Sequence, residues 1–233
     1  MNILFLIPAR AGSVRLKNKN IRNFLGKELF LHTVNFANIA SKQLTNHSCK
    51  VCLSTDDSHI LEYEKLLSHI DFFHREVSLS SSTASLEDVC DSVLAIYAQK
   101  NIYFDLVCLL QVTSPLRDRF LFNKALNNLA SNSNSNGVIE LEEHKQHLGE
   151  IEDNLWKPYN NSDIQSQSLS SLYKPSGRLF LYKVNKQCTI FRDKLSAMII
   201  KPDHVNNIDT LDDFIVAEFK ANQITDFDYL FSE

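Results

Sequence analysis

The residues best equipped for chemistry lie together near the start of the chain, in the stretch Ile7 to Asn20, IPARAGSVRLKNKN. An apolar run ends at Pro8, and a loop carrying Arg10, Arg15, Lys17 and Lys19 follows. In a parallel sheet, the loop at the carboxyl end of a strand is where ligands bind. Backbone N–H groups around Ala11, Gly12 and Ser13 could cradle phosphate oxygens, while Arg10 and Lys19 could neutralise their charge. The chain has only five glycines, and Gly12 is one of them. The pattern is neither the Walker loop, which needs two glycines followed by Lys and Ser or Thr, nor a G-x-G-x-x-G fingerprint. Charge alone leaves a second reading open, a solvated basic loop with no ligand.

Other residues with chemical capacity have simpler readings. Asp56 and Asp57 form a carboxylate pair, but at the end of a strand such residues cap the next helix. The segment Glu140 to His147, ELEEHKQH, offers side chains a metal accepts, yet nothing completes a coordination set, and a solvated face or loop is expected. Five cysteines is an odd number, and most sit among apolar neighbours as buried free thiols do, which fits a reducing, cytoplasmic compartment. Cys49 and Cys52 make a C-x-x-C, but residues three apart on a strand point to opposite faces, so paired redox or zinc chemistry is not expected.

These groups need a scaffold, and apolar runs of strand length supply it: Asn2 to Ile7, Lys50 to Ser54, Phe104 to Gln111, Gly137 to Leu141, Arg178 to Val184 and Leu195 to Ile200. Helical patterns alternate with them, which predicts an α/β fold with a mainly parallel sheet flanked by helices. One helix begins at Ser85, where Ser85 and Asp88 form a capping-box pattern and Leu86, Val89, Cys90, Val93, Leu94 and Tyr97 mark one face. Another begins at Thr210, with Asp213 three residues on and Leu211, Phe214, Ile215 and Phe219 as its apolar face. Ala130 to Asn136 and Asn160 to Ser171 are polar stretches read as turns or a mobile loop, not linkers, so residues 1–233 are expected to form a single domain.

Composition limits the alternatives. No segment approaches the apolar run of about 20 residues that a spanning helix needs, so no membrane association is expected. The start MNILFLIPAR reads as a buried first strand. A net charge of −4 provides no global basic field, which argues against nucleic acid as a partner and leaves any anion site local.

Four motifs now stand in order: IPARAGSVRLKNKNI from residue 7, LSTDD at 53 to 57, LLQVTSPLR at 109 to 117 and NIDTLDDF at 207 to 214. Together they resemble the CMP-sialic acid synthetase group of cytidylyltransferases and cover most of the chain. The resemblance implies a Rossmann-like fold of the nucleotidyltransferase type, a homodimer, Mg²⁺ as cofactor, and activation of an acidic sugar by CTP with release of pyrophosphate. By position, Arg10, Ser13 and Lys19 resemble the triphosphate-binding loop, and Asn20 matches the residue beside the cytosine. Arg75 and Thr83-Ala84-Ser85 resemble the base-recognition segment, Gln111 and Thr113 match residues lining the acidic-sugar pocket, and Asp209 matches one of two metal-binding aspartates. Each position has a structural alternative: Asp209 or Ser85 could cap a helix, and Gln111 could end a strand.

Three departures from the family pattern stand out. The metal segment, usually Asp-Ile-Asp, reads Asn207-Ile208-Asp209, which exchanges one anionic ligand for an amide; Mg²⁺ prefers carboxylate oxygen but keeps several waters. Val14 stands where many members have Lys, with Arg15 adjacent. The loop that carries basic residues in many relatives reads Gln165-Ser166-Gln167 and later Ser176-Gly177, leaving Lys174 or Arg178 as partners for a sugar carboxylate. A cytidylyltransferase for Kdo or another nonulosonic acid, and a catalytically weak nucleotide-binding homologue, are the competing readings.

Overall fold

A computed structural model of the chain describes residues 1–80, 84–159, 165–201 and 207–223. Its strands are β1 (Asn2–Pro8), β2 (Asn23–Phe24), β3 (Lys27–Glu28), β4 (Ser48–Thr55), β5 (Asp71–His74), β6 (Leu106–Leu109), β7 (Gly137–His144), β8 (Gly149–Glu152), β9 (Leu155–Pro158), β10 (Leu172–Lys183) and β11 (Leu195–Ile200). The α-helices are α1 (Leu29–Gln43), α2 (Ser58–Leu61), α3 (Val77–Ser80), α4 (Leu86–Gln99), α5 (Leu121–Ser131) and α6 (Leu211–Gln223).

Seven strands form one sheet in the order β11-β7-β10-β6-β1-β4-β5. All run parallel except β10, which pairs antiparallel with both β6 and β7. The mainly parallel sheet is therefore as expected, and the position of the reversed strand is what the sequence did not show. β1 and β6 lie at its centre and are covered on both faces, which explains why LFLI in β1 and LVCL in β6 run without alternation. One face packs Phe5, Leu53, Cys108 and Leu181 against α1, α5 and α6; the other packs Leu4, Leu6, Val107 and Leu109 against α4. Cys49 and Cys52 fall on these opposite faces, and all five cysteines are free. Burial pushes the Cys52 thiol up to about 12, so it is inert at neutral pH.

The chain order makes a switch point. After β1 it adds β4 and then β5 on one side, and then returns to place β6 on the other side of β1. The loops leaving β1 and β6 diverge there and open a crevice at the carboxyl ends of the two strands.

Several elements differ from expectation. β10 begins six residues earlier than read, at Leu172, because its register against β7 shifts between Pro175 and Phe180 and the alternation breaks there. ELEEHKQH is not a solvated face: β7 runs to His144, and Glu140 and Glu142 are buried. Among the described residues no cluster of three or more potential metal ligands occurs. β5 and the hairpin β8–β9 were not anticipated. Asp153 and Asn154, both at positive φ, make the two-residue turn of that hairpin. α6 starts as read, but of its expected face only Phe214 is buried, with Ala217 and Ala221, while Leu211, Ile215 and Phe219 face outward. Thr83 lies outside the described residues, as does the part of the Asn160 to Ser171 stretch at 160–164. No described helix is long and apolar enough to cross a membrane.

Candidate active site

The switch-point crevice is a cleft of about 330 Å³ lined by Arg10, Ser13, Arg15, Lys19, Asn20, Arg75, Ala84, Gln111, Thr113 and Asp209, with Pro8, Val14, Leu16, Leu79, Leu86, Val89 and Val112 as its less polar wall. All ten of the polar and small residues named first were singled out in the sequence, and they face one cavity. Ala11, Gly12, Ser85 and Asn207 do not line it.

The β1 loop is held open by hydrogen bonds to its neighbour strand. Ala9 N–H donates to Ser54 O at 2.8 Å, and Thr55 Oγ1 donates to Ala9 O at 2.6 Å. Ala11 N–H donates to Asp56 Oδ1 at 2.7 Å, so Asp56 is a latch on the loop; the capping role falls to Asp57, which accepts from His59 N–H. Gly12 sits at φ +74°, a turn conformation that favours glycine, and nothing lies within 4 Å of where a Cβ would be. On the far side of the loop, Asn20 Nδ2 donates to Arg10 O at 2.9 Å. Ala9 O, Arg10 O and Ala11 N–H are thus all engaged within the protein, while the side chains of Arg10, Arg15 and Lys19 line the cleft.

Lys19 is the centre of the cluster. It is 9% exposed, and a charge so placed requires partners. It donates through Nζ to Ile208 O at 2.6 Å and to Asp209 Oδ1 at 3.0 Å. Arg15 Nη2 lies 3.0 Å from the other oxygen of Asp209, and Asn207 Nδ2 donates to that same oxygen at 3.2 Å. Ile208 N–H donates to Thr113 O at 2.7 Å, tying the 207–214 segment to the loop after β6. Lys19 and Asp209 are 190 residues apart in sequence, yet their contact makes Asp209 part of the β1 loop's charge cluster.

Asp209 does not cap α6. Thr210 Oγ1 accepts from Asp213 N–H, while Asp213 Oδ2 accepts from the N–H groups of Asp209 and Thr210. Burial acts to raise the Asp213 carboxyl, but these bonds hold it below the usual range. Asp209 is thereby oriented by the cap and free of the capping duty itself.

On the opposite wall, Arg75 is buried, and its Nε and Nη2 donate to Ser54 Oγ and O at 3.2 and 3.0 Å. Burial lowers its pKa from the usual guanidinium value, opposed by the Asp56 carboxylate and reinforced by Arg10. Ser85 caps α4 with both bonds of the capping box, its Oγ accepting from Asp88 N–H at 3.1 Å. Ser85→Ala is therefore expected to cost about 1 kcal/mol in a denaturant melt, and Ser85→Gly only a few tenths.

Sequence reasoning missed Arg117 as a structural centre. It is fully buried and donates to Gln111 O at 2.6 Å, Arg178 O at 2.8 Å and Thr33 Oγ1 at 3.1 Å, with its guanidinium 5.4 Å from the Phe36 ring centroid. It fixes the backbone of Gln111 at the cleft. Arg178, offered as a partner for a sugar carboxylate, is instead bound to Glu140 by two hydrogen bonds.

A mainly parallel sheet with a cation-lined cleft of about 330 Å³ at its switch point is the architecture of α/β proteins that bind phosphorylated ligands such as nucleotides. Comparison narrows the class. A family model described as cytidylyltransferase matches residues 4–223, and the chain belongs to that family, which makes it a CTP-dependent nucleotidyltransferase. It is similar to a pseudaminic acid cytidylyltransferase of Campylobacter jejuni, 28% identical over 95% of this chain and 98% of that protein. An N-acylneuraminate cytidylyltransferase of Streptococcus agalactiae is also 28% identical, over 92% of this chain and 52% of that protein. Among solved structures, a CMP:2-keto-3-deoxy-manno-octonic acid synthetase complexed with CTP superposes with TM-score 0.62 at 12% identity, covering 96% of this chain and 99% of that one. A 4-diphosphocytidyl-2C-methyl-D-erythritol synthase superposes with TM-score 0.60 at 10% identity, covering 94% and 97%. These neighbours share the nucleotidyltransferase-type fold.

Proposed function

We propose that this protein transfers CMP from CTP to the anomeric hydroxyl of an acidic nonulosonic sugar and releases pyrophosphate. The observation that carries this reading is the convergence of three of the four motifs on one cleft, with Lys19 of the first joined to Asp209 of the last, while the remaining motif, LSTDD, holds the β1 loop through Ser54, Thr55 and Asp56. The names of the relatives, for pseudaminic acid and N-acylneuraminate, support an acidic sugar as the acceptor.

The chain's own residues divide the work. Arg10 and Lys19 grip the triphosphate with Ser13 beside them, while Ala11 and Gly12 shape the turn, the Ala11 N–H being held by Asp56. Asn20, Arg75 and Ala84 form the nucleoside end, and Gln111 and Thr113 face the acceptor. Phosphoryl-type transfer depends chiefly on positioning and charge stabilisation, and a cleft whose cations are prefixed by buried bonds provides both.

The residues at 207 to 209 fit a divalent cation. Asp209 presents a carboxylate to the cleft, and Asn207, which does not line the cleft but donates to Asp209, has a buried Oδ1 without a hydrogen-bond partner, the kind of atom that a ligand satisfies. Asp209 and Asn207 would hold Mg²⁺, which when bound would offset charge on the phosphates and the departing pyrophosphate. Because Asn207 brings no charge, Asn207→Asp is expected to lower the Mg²⁺ concentration at half-maximal rate by roughly tenfold. An unchanged Mg²⁺ dependence would remove Asn207 from the metal assignment.

A homodimer in the cytoplasm completes the reading. The β8–β9 hairpin stands outside the main sheet and exposes Ile151, Leu155, Trp156 and Tyr159, a patch suited to a second copy. Five free thiols support a reducing setting. The test of the reaction is mass spectrometry of the product after incubation with CTP, Mg²⁺ and either a nonulosonic acid or a neutral hexose. A CMP-sugar only from the acid is the expected result; a product from the hexose alone would overturn the acceptor class.

A further inference from the structure

β10 approaches the cleft residue Gln111 through its irregular stretch, in which Ser176, Gly177 and Arg178 lie where the register with β7 shifts. Gly177 has φ +78°, and a Cβ built on it would lie 2.8 Å from Ser114 Oγ and 3.3 Å from Gln111 Oε1. Bare backbone therefore lies against the Gln111 amide, and only glycine combines that conformation with that clearance.

The bulge is anchored by a buried polar cluster. Arg178 donates through Nε to Glu140 Oε2 at 2.7 Å and through Nη2 to Glu140 Oε1 at 2.5 Å. Ser176 Oγ donates to the same Oε2 at 2.6 Å and accepts from Arg178 N–H at 3.2 Å. Glu140 is 1% exposed. Stability alone does not explain such a pair, since well-packed apolar side chains commonly do as well or better. What the cluster adds is a defined geometry for three consecutive residues of β10. Arg117 then fastens that geometry to the cleft, because it donates both to Arg178 O and to Gln111 O.

We propose that Glu140, Ser176 and Arg178 are positioning residues that fix the β10 bulge, whose Gly177 backbone sets the orientation of the Gln111 side chain and thereby the affinity for the acidic sugar. The inference rests on the assignment of Gln111 to the acceptor end of the cleft. It also removes the Arg178 guanidinium from the groups that meet the sugar carboxylate directly, since its Nε–Nη2 edge is committed to Glu140 and its Nη1 donates to Leu116 O at 3.4 Å.

The test is steady-state kinetics on the full chain with CTP and the acid it uses, comparing the wild type with Glu140→Gln, Ser176→Ala and Arg178→Lys. Glu140→Gln and Ser176→Ala are expected to raise KM for the acid roughly tenfold, with KM for CTP changed less than about twofold. Arg178→Lys keeps the charge but loses the paired geometry and is expected to fall between these variants and the wild type. An unchanged acid KM, an equal rise in both KM values, or a fall in kcat alone would overturn the proposal, since a merely structural role gives the last two. If Glu140→Gln does not melt cooperatively, Ser176→Ala decides, because it leaves the Glu140–Arg178 pair in place. Transfer by the wild type to no acid at all would overturn the functional reading and the proposal with it. Transfer with variant KM values unmoved would overturn the proposal alone.

Discussion

Asp209→Asn is expected to lower turnover by roughly 10²- to 10³-fold while the protein still melts cooperatively. The carboxylate stands between Lys19 and Arg15, and its charge is what the cleft would offer to a divalent cation beside the triphosphate. An asparagine keeps an acceptor oxygen for Lys19 Nζ, and Asp209 N–H still donates to Asp213, so the cap of α6 persists. The Arg15 ion pair and the Asn207 bond at the other oxygen are lost, but Arg15 is exposed and such a pair is worth about 0–1 kcal/mol, so the loss of stability is small next to the loss of rate. Initial rates at saturating substrates, paired with a thermal melt, make the measurement. A wild-type rate would show that the cation cluster works without this charge.

Arg10→Ala is expected to weaken CTP binding by about 10- to 100-fold in titration calorimetry, the equivalent of one charge-assisted contact of about 1.5–3 kcal/mol. Arg10 reaches the cleft from the residue that follows Ala9, whose backbone is pinned by Ser54 and Thr55, so its position is set by the sheet. The acid KM is expected to stay near the wild-type value, which separates the triphosphate end of the cleft from the acceptor end. Unchanged CTP affinity would take Arg10 out of the phosphate site.

What could be read from the sequence was local. The Ser85 and Asp88 capping box specifies the start of α4 within four residues, and both of its bonds form. The run of apolar residues in β1 identifies a strand covered on both faces without reference to its neighbours. The β1 loop was legible for the same reason, since strand, glycine and cations follow one another in sequence.

What could not be read depends on distant partners. The Lys19–Asp209 contact spans 190 residues, and the Asp56 latch on Ala11 spans 45, so neither has a spacing to detect. Glu140 and Arg178 look like surface residues until β7 and β10 pair and shut them in. Arg117, the last residue of a motif read for its ligand contacts, serves instead as the brace behind Gln111. The β8–β9 turn did leave a local signal, Asp153-Asn154, but its flanking strands bury no face and so show no alternation that marks a core.

Pyrophosphate release from CTP with Mg²⁺ is the decisive measurement, with N-acetylneuraminic, legionaminic, pseudaminic and Kdo acids supplied separately and a control without sugar. Release that depends on one of the acids, and is absent from the control, is the predicted result. Release at the same rate in every vessel including the control, or from none of them while CTP binds, would contradict it.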